Sequence, residues 1–298
     1  MHTLISYLRL MRPANIVTAM ADILLGFAAA TASTLVVDKL SDFPATLGWL
    51  ILSTIGLYGG GVVLNDVFDA KLDAVERPER PIPIGIVPIQ YATWLGGGLL
   101  IMGIVSAFQS STYSGILAII ISILVLLYDA LSKHHPITGP INMGLCRAFN
   151  LLLGISIVPM MVIEVWYLAI IPMVYIYTIT MISRGEVHGG SKVILSIAIV
   201  LYTIVIAAIL SLGFLPTYNL LYIIPFIILF LYLTFPNLLK AYKNPGAMEI
   251  RNAVKGCIIA LIALDATIAA GFAGWLVGLL IICLLPISFF LAKAFAVT

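Results

Sequence analysis

Asn65, Asp69 and Asp73 stand four residues apart in the run Leu64-Asn65-Asp66-Val67-Phe68-Asp69-Ala70-Lys71-Leu72-Asp73. On an α-helix this spacing puts three oxygen-bearing side chains on one face, drifting by about 40° per step. Oxygen donors converging on one face suit Mg²⁺, which takes a carboxylate or two together with substrate phosphates. An acidic helix end solvated by water has the same spacing, and spacing alone leaves that reading open. Directly after it comes Glu76-Arg77-Pro78-Glu79-Arg80-Pro81-Ile82-Pro83-Ile84-Gly85, with Arg-Pro twice. Proline ends the helix and restrains the chain, which keeps the guanidinium groups of Arg77 and Arg80 near the acids. Planar guanidinium forks suit phosphate oxygens. Acids that recruit Mg²⁺ beside cations that hold phosphate make a diphosphate site.

Other polar residues fall in two more stretches. In Ser183-Arg184-Gly185-Glu186-Val187-His188-Gly189-Gly190-Ser191-Lys192, Glu186 offers an oxygen to a second Mg²⁺. His188 could bind a softer metal, donate a proton or hydrogen-bond a phosphate; it could equally be a solvated loop residue. Gly189-Gly190 permits close backbone approach to a ligand or simply a tight turn. Arg184 and Lys192 are candidate phosphate contacts, or the basic residues that membrane topology puts there anyway. In Tyr128-Asp129-Ala130-Leu131-Ser132-Lys133-His134-His135-Pro136, the adjacent histidines do not share a helix face and make a weak metal signal. Arg147 and Asn150 lie inside an apolar segment, where an unpaired guanidinium is costly, so both are expected to face a cavity. Asp22, Asp129 and Asp265 read first as hydrogen-bond partners between helices, with cavity roles as the alternative.

The elements that must carry these residues are membrane spans. Of the 298 residues, 62% are hydrophobic and only 9% charged, with a mean hydropathy of +1.16. Soluble domains carry about 25% charged residues, so a water-soluble globule is excluded. A net charge of +2 gives no basic face for nucleic acid. Cys146, Cys257 and Cys283 form no C-x-x-C pair, which speaks against a disulfide framework or a thiolate metal site. Ten apolar segments are long enough to span a bilayer, at 14–34, 46–66, 88–108, 114–132, 141–162, 164–183, 193–213, 219–240, 253–273 and 275–294. They leave no room for a soluble domain, so residues 1–298 read as one membrane domain. With the N-terminus in the cytoplasm, every Lys and Arg except Lys39 and the helix-embedded Arg147 falls on the cytoplasmic side. The even number of spans puts the C-terminus there too. The stretch ending Ala28-Ala29-Ala30-Thr31-Ala32-Ser33 is similar to a signal-peptide cleavage site. Asp22, however, interrupts the apolar core that such a peptide needs, so the first helix is expected to stay.

The N-D-x-x-D-x-x-x-D run followed by R-P-x-R-P-I resembles the first signature of the UbiA superfamily of intramembrane prenyltransferases. Arg12-Pro13 before the first helix and Tyr128 through Lys133 after the fourth are similar to that superfamily as well, and the likeness runs from about residue 9 to 273. The resemblance implies an all-α polytopic bundle, nine core helices plus a tenth here, around a central cavity facing the cytoplasm of the cell (inner) membrane. It implies Mg²⁺ held by Asn65, Asp66, Asp69 and Asp73, with Glu186 anchoring a second ion and His188 in a catalytic role. Diphosphate contacts would come from Arg77, Arg80, Lys133, Arg184 and Lys192, and the cavity would be lined by Arg12, Asn15, Arg147 and Asn150. The implied reaction is ionisation of an isoprenoid diphosphate and transfer of the prenyl group to a lipophilic or aromatic acceptor. Terpene cyclisation by the same ionisation and a non-enzymatic carrier or assembly subunit are the alternatives. The implied partners are these substrates, the lipid bilayer and membrane-associated proteins of the same pathway. The chain departs from the family where a second aspartate-rich motif is usual, since 183–192 has one carboxylate and no aspartate. That loop, with Asn142-Met143-Gly144-Leu145-Cys146-Arg147 and the Ala-Val-Thr ending, resembles the EboC-type branch.

Overall fold

The computed structural model describes residues 2–32 and 43–295, and among them every regular element is helical. A short α1 (His2–Met11) leads into α2 (Pro13–Ala32), followed by α3 (Phe43–Phe68), α4 (Ala70–Glu76), α5 (Ile89–Ser110) and α6 (Thr112–Leu127). Then come α7 (Thr138–Ile155), α8 (Met161–Glu164), α9 (Ile170–Ser183), α10 (Lys192–Ser211), α11 (Leu220–Lys243) and α12 (Ala247–Ala273). The chain closes with α13 (Trp275–Ile282) and α14 (Leu284–Ala294), which together cover the expected tenth span and are divided at Cys283. Lys39 and the Ala296-Val297-Thr298 ending lie outside the described residues.

Among the described residues nine helices are long and apolar enough to cross a bilayer. The expected fifth span, 141–162, is the exception. Its helix, α7, runs from Thr138 to Ile155, and the apolar residues after it turn through Ser156–Pro159 before the single turn of α8. Asn142, Arg147 and Asn150 are buried within α7 and lower its hydropathy.

The core is built on α2 and α12, whose residues are buried on most faces. α7 packs on α2 with no room for side chains at the crossing. A Cβ on Gly26 would lie 2.6 Å from the carbonyl carbon of Gly154, and one on Gly154 would lie 2.8 Å from the Ile23 Cα. Helices in lipid associate through such close packing and through hydrogen bonds between them. Here the glycine contact brings α2 and α7 near enough for Asp22 to meet Arg147, as described below. Arg12 links α1 to α2 with a left-handed φ of 48°, a conformation uncommon for any residue but glycine. The turn sets its side chain beside the end of α3.

Candidate functional site

Backbone hydrogen bonds carry the helical path across the α3–α4 boundary. The Asp69 N–H donates to the Asn65 carbonyl (2.9 Å), that of Asp73 to Asp69 (2.8 Å) and that of Arg77 to Asp73 (2.9 Å). Asn65, Asp69, Asp73 and Arg77 therefore stack along one line, as their spacing predicts. Their partners are not those expected. The buried Asp73 places Oδ2 2.6 Å from Arg80 Nη1, and the same nitrogen lies 3.2 Å from Asp66 Oδ1. Arg12 Nη2 reaches that Asp66 oxygen at 2.7 Å. This chain of ion pairs folds the Arg-Pro segment back onto the end of α3. Arg80 is only 6% exposed, so it clamps two carboxylates rather than contacting phosphate. Asp66 and Asp73 are thus each paired with arginine in this arrangement.

The remaining members of the acidic run face α6. Asn65 Nδ2 donates to Asp129 Oδ1 (2.7 Å), and Lys133 Nζ lies 2.5 Å from Asp69 Oδ1. Asp129 lies within a π-helical turn, Tyr128–Ser132, which Lys133 caps by donating its N–H to the Tyr128 carbonyl (3.0 Å). Such turns often sit at functional sites. Asp129 Oδ2 is buried and has no hydrogen-bond partner among the described residues.

Asn65 and Asp129 lie on the wall of a cavity of about 350 Å³ enclosed by α2, α3, α6, α7, α9 and α12. Its polar end also carries Arg12, Asn15 and Glu186, and its walls are apolar, with Leu57, Val125, Ile179 and Ile258 among them. Arg147 and Asn150 line it as expected. Behind that lining, Arg147 Nε is 2.6 Å from Asp22 Oδ2 and Nη2 is 3.8 Å from Asp265 Oδ2. Asn150 Nδ2 donates to the same Asp22 oxygen (2.7 Å) and to the Ala19 carbonyl (2.9 Å), while Thr54 donates to Asn150 Oδ1 (2.6 Å). Asp22 and Asp265 thus take the interhelical role that is their first reading.

The second pole differs more from expectation. Glu186, in the turn after α9, is half-buried on the cavity wall. Burial pushes its carboxyl above the usual range, and Arg77, Arg251, Lys255 and Arg12 pull it back. Glu186 is the one carboxylate of the 183–192 stretch, and it lines the cavity together with Asn65 and Asp129. His188 and Lys192 are exposed and do not line the cavity. Arg184 donates to the carbonyls of Lys133 (3.0 Å) and His135 (2.6 Å), tying down the loop between α6 and α7 instead of pointing inward. Asp129 takes both of the roles open to it in the sequence, bonded to Asn65 on the neighbouring helix and lining the cavity, whereas sequence reasoning did not single out Arg251, which donates to the Glu186 carbonyl (3.3 Å). The signal for Arg251 was available, because it continues the face of α12 on which Val254, Ile258 and Leu261 line the cavity.

Among the described residues no three His, Cys, Asp or Glu side chains converge as a ready-made metal cage. The unpartnered oxygen of Asp129, the amide oxygen of Asn65 and the half-buried Asp69 form a sparser oxygen set. That set fits Mg²⁺, which keeps waters and substrate phosphates among its ligands.

A family model described as the UbiA prenyltransferase family matches residues 23–247. A digeranylgeranylglyceryl phosphate synthase from Methanosarcina mazei is 32% identical over 163 residues, 51% of this chain and 54% of that protein. The match thus spans about half the length of that relative. One from Saccharolobus solfataricus is 26% identical over 276 residues, 84% of this chain and 92% of that protein. Among solved structures, a UbiA homologue from Aeropyrum pernix superposes with a TM-score of 0.66 at 14% identity, covering 85% of this chain and 96% of that one. A UbiA homologue from Archaeoglobus fulgidus bound to GPP and Mg²⁺ gives 0.57 at 15%, covering 91% and 99%. These two show a shared fold. With nine apolar helices of membrane-crossing length among the described residues, and by its match to this family, the chain is an integral multi-pass membrane protein.

Proposed function

The chain belongs to the UbiA prenyltransferase family, and from that premise we propose that it ionises an isoprenoid diphosphate and transfers the prenyl group to a lipophilic acceptor within the bilayer. The observation that carries the reading is one cavity with a charged mouth and dry walls. Asn65, Asp129 and the Asp69–Lys133 pair stand at the mouth, and aliphatic side chains line the interior. Asn65, Asp129 and Asp69 would hold Mg²⁺, which when bound neutralises charge on the leaving diphosphate. Lys133 and Arg12 bring fixed positive charge to the phosphate end, where preorganised cations stabilise developing negative charge. The apolar walls exclude water from the allylic cation, which would otherwise be hydrolysed.

The names of the curated relatives favour a glyceryl phosphate lipid as product, with an aromatic acceptor as the competing proposal. An affinity with the EboC-type branch rests on the 183–192 loop and the 142–147 segment of the sequence. We further propose that residues 1–298 form one domain in which the 18-residue α7 crosses the bilayer in addition to the nine more apolar helices, leaving both termini cytoplasmic. Although the family match ends at 247, α12 supplies the bundle's core, and Ser288 of α14 donates to the Ala14 carbonyl on α2 (3.1 Å).

The test is purified protein in nanodiscs with Mg²⁺ and a series of prenyl diphosphates, with and without a membrane extract, read by mass spectrometry and diphosphate release. Prenylated products that require the extract are expected. Cyclised hydrocarbon without an acceptor would replace transfer by cyclisation, and binding without diphosphate release would make the protein a carrier.

A further inference from the structure

Two carboxyl groups and one guanidinium meet behind the cavity wall, each on a different helix. Asp22 of α2 and Asp265 of α12 are fully buried, and Arg147 of α7 is 5% exposed. Among the described residues Arg147 is the only cation within ion-pair distance of either acid. Its Nε faces Asp22 Oδ2 at 2.6 Å, whereas its Nη2 stays 3.8 Å from Asp265 Oδ2 and donates instead to the Thr18 carbonyl (2.5 Å). The same Asp22 oxygen also accepts from Asn150 Nδ2. The other oxygens of the acid pair are less well served. Asp22 Oδ1 and both oxygens of Asp265 are buried with no hydrogen-bond donor among the described residues, although the two carboxyl groups lie within hydrogen-bonding reach of each other. Thr54, which bonds Asn150, stands eleven residues before Asn65 on α3, or about 16 Å along a helix. The cluster therefore lies far from the charged mouth, where an unbalanced charge is costly.

We propose that Asp22 and Asp265 share one proton, carried by Asp265 and donated to Asp22 Oδ1, so that the Asp22–Arg147–Asp265 cluster is electrically neutral. A protonated carboxyl is a donor as well as an acceptor, so one hydrogen gives partners to two of the orphaned oxygens. The charge count leads to the same answer. One guanidinium balances one carboxylate, and two acids this close do not both ionise. Asp265 is thereby a positioning residue. It backs Asp22, Asp22 holds Arg147, and Arg147 lines the cavity with Asn150 and Thr18. That wall is neutral, which suits the uncharged end of a ligand and leaves phosphate at the mouth beside Asn65 and Asp129. This last consequence rests on the prenyl-transfer reading, and the shared proton does not.

The test uses the whole protein in nanodiscs and reads the infrared C=O stretch of protonated carboxyl groups, which is resolved from that of ionised carboxylates and shifts in D₂O. At neutral pH the parent should show a carboxylic acid band that Asp265→Asn removes. Arg147→Gln deletes the balancing cation, so Asp22 should take a proton of its own and a second band should appear. Binding of geranyl diphosphate with Mg²⁺ is the functional readout. Asp265→Ala should weaken it about tenfold, equivalent to about 1.4 kcal/mol, because Asp22 and Arg147 lose their backing. Asp265→Asn should restore most of that loss, since an amide N–H donates where the acid O–H did and brings no charge. Identical spectra for the parent and Asp265→Asn would overturn the shared proton, and they decide it whether or not the alanine variant folds. An Asp265→Asn variant as impaired as Asp265→Ala would overturn it too, because the position would then need a negative charge. Parental binding in Asp265→Ala would remove the positioning role. Failure of the prenyl-transfer reading would look different: the band and its loss would stand while no prenylated product formed.

Discussion

Replacing Arg80 by alanine separates a structural clamp from a phosphate contact. In the folded protein Arg80 Nη1 serves Asp73 at 2.6 Å and Asp66 at 3.2 Å, and all three side chains are 7% exposed. Burial this deep removes the solvent screening that makes surface ion pairs nearly worthless. Removing one partner of a buried pair leaves an uncompensated charge and costs about 3–5 kcal/mol. Asp66 keeps Arg12, so the larger share of the penalty falls on Asp73. At about 2–4 °C per kcal/mol for a large domain, Arg80→Ala should lower the midpoint of thermal unfolding in nanodiscs by on the order of 10 °C. Adding Asp73→Asn should restore a good part of that loss, because the stranded charge is then gone. Diphosphate binding by the surviving folded fraction of Arg80→Ala should change little. An unchanged midpoint together with a collapse in diphosphate affinity would refute the clamp and return Arg80 to the phosphate.

Asp129→Asn, which keeps the hydrogen-bonding shape while deleting the charge behind the unpartnered oxygen, should cut Mg²⁺-dependent turnover at least about 100-fold; turnover within a few-fold of the parent would remove Asp129 from the site. Burial holds the Glu186 carboxyl above its ordinary range, so it gains its proton early as pH falls. Metal-free diphosphate affinity, taken relative to Glu186→Gln at each pH, should therefore rise on acidification from neutral as the negative charge on the cavity wall is lost, and a flat ratio would argue against a carboxylate that faces the ligand. His188→Ala and Lys192→Ala remove exposed side chains that do not line the cavity and should leave turnover within about twofold, in keeping with the small effects of surface substitutions. Cysteine labelling in oriented vesicles should find positions 188 and 79 on the cytoplasmic face, and an outward-facing position 188 would invert the proposed topology.

The parts of the site legible in the sequence were those set by local geometry. Four-residue spacing makes Asn65, Asp69 and Asp73 a line whatever surrounds them, and the cost of a charge in lipid turns Arg147 and Asn150 inward. The choice of partner was not legible, because it depends on contacts across long stretches of chain. Arg12 reaches Asp66, and Lys133 reaches Asp69 from another helix. Composition alone could not show that Arg80 would be consumed by Asp66 and Asp73, nor that Arg184 would turn to the carbonyls of Lys133 and His135. The expected span at 141–162 ran long for a related reason. Hydropathy follows the apolar Ile157–Val162 stretch, whereas the backbone leaves the helix at Ile155.

The pairing of Asp22 with Arg147 has a consequence for how the chain enters the membrane. An isolated arginine or aspartate near the middle of an inserting helix costs about 2.5–3.5 kcal/mol on the biological insertion scale. α7, with Arg147, Asn142 and Asn150, is a weak candidate to leave the insertion machinery on its own. α2 is synthesised more than a hundred residues earlier and already holds Asp22, the group that lies 2.6 Å from Arg147 in the finished protein. Delivery of α7 into lipid therefore depends on α2 waiting beside the exit, with the Gly26–Gly154 contact setting how near they come. Asp265 arrives last, on α12, after the opposite charges have already met. The order of synthesis thus becomes an order of neutralisation, and loss of Asp22 should show first as a failure of the fifth helix to insert.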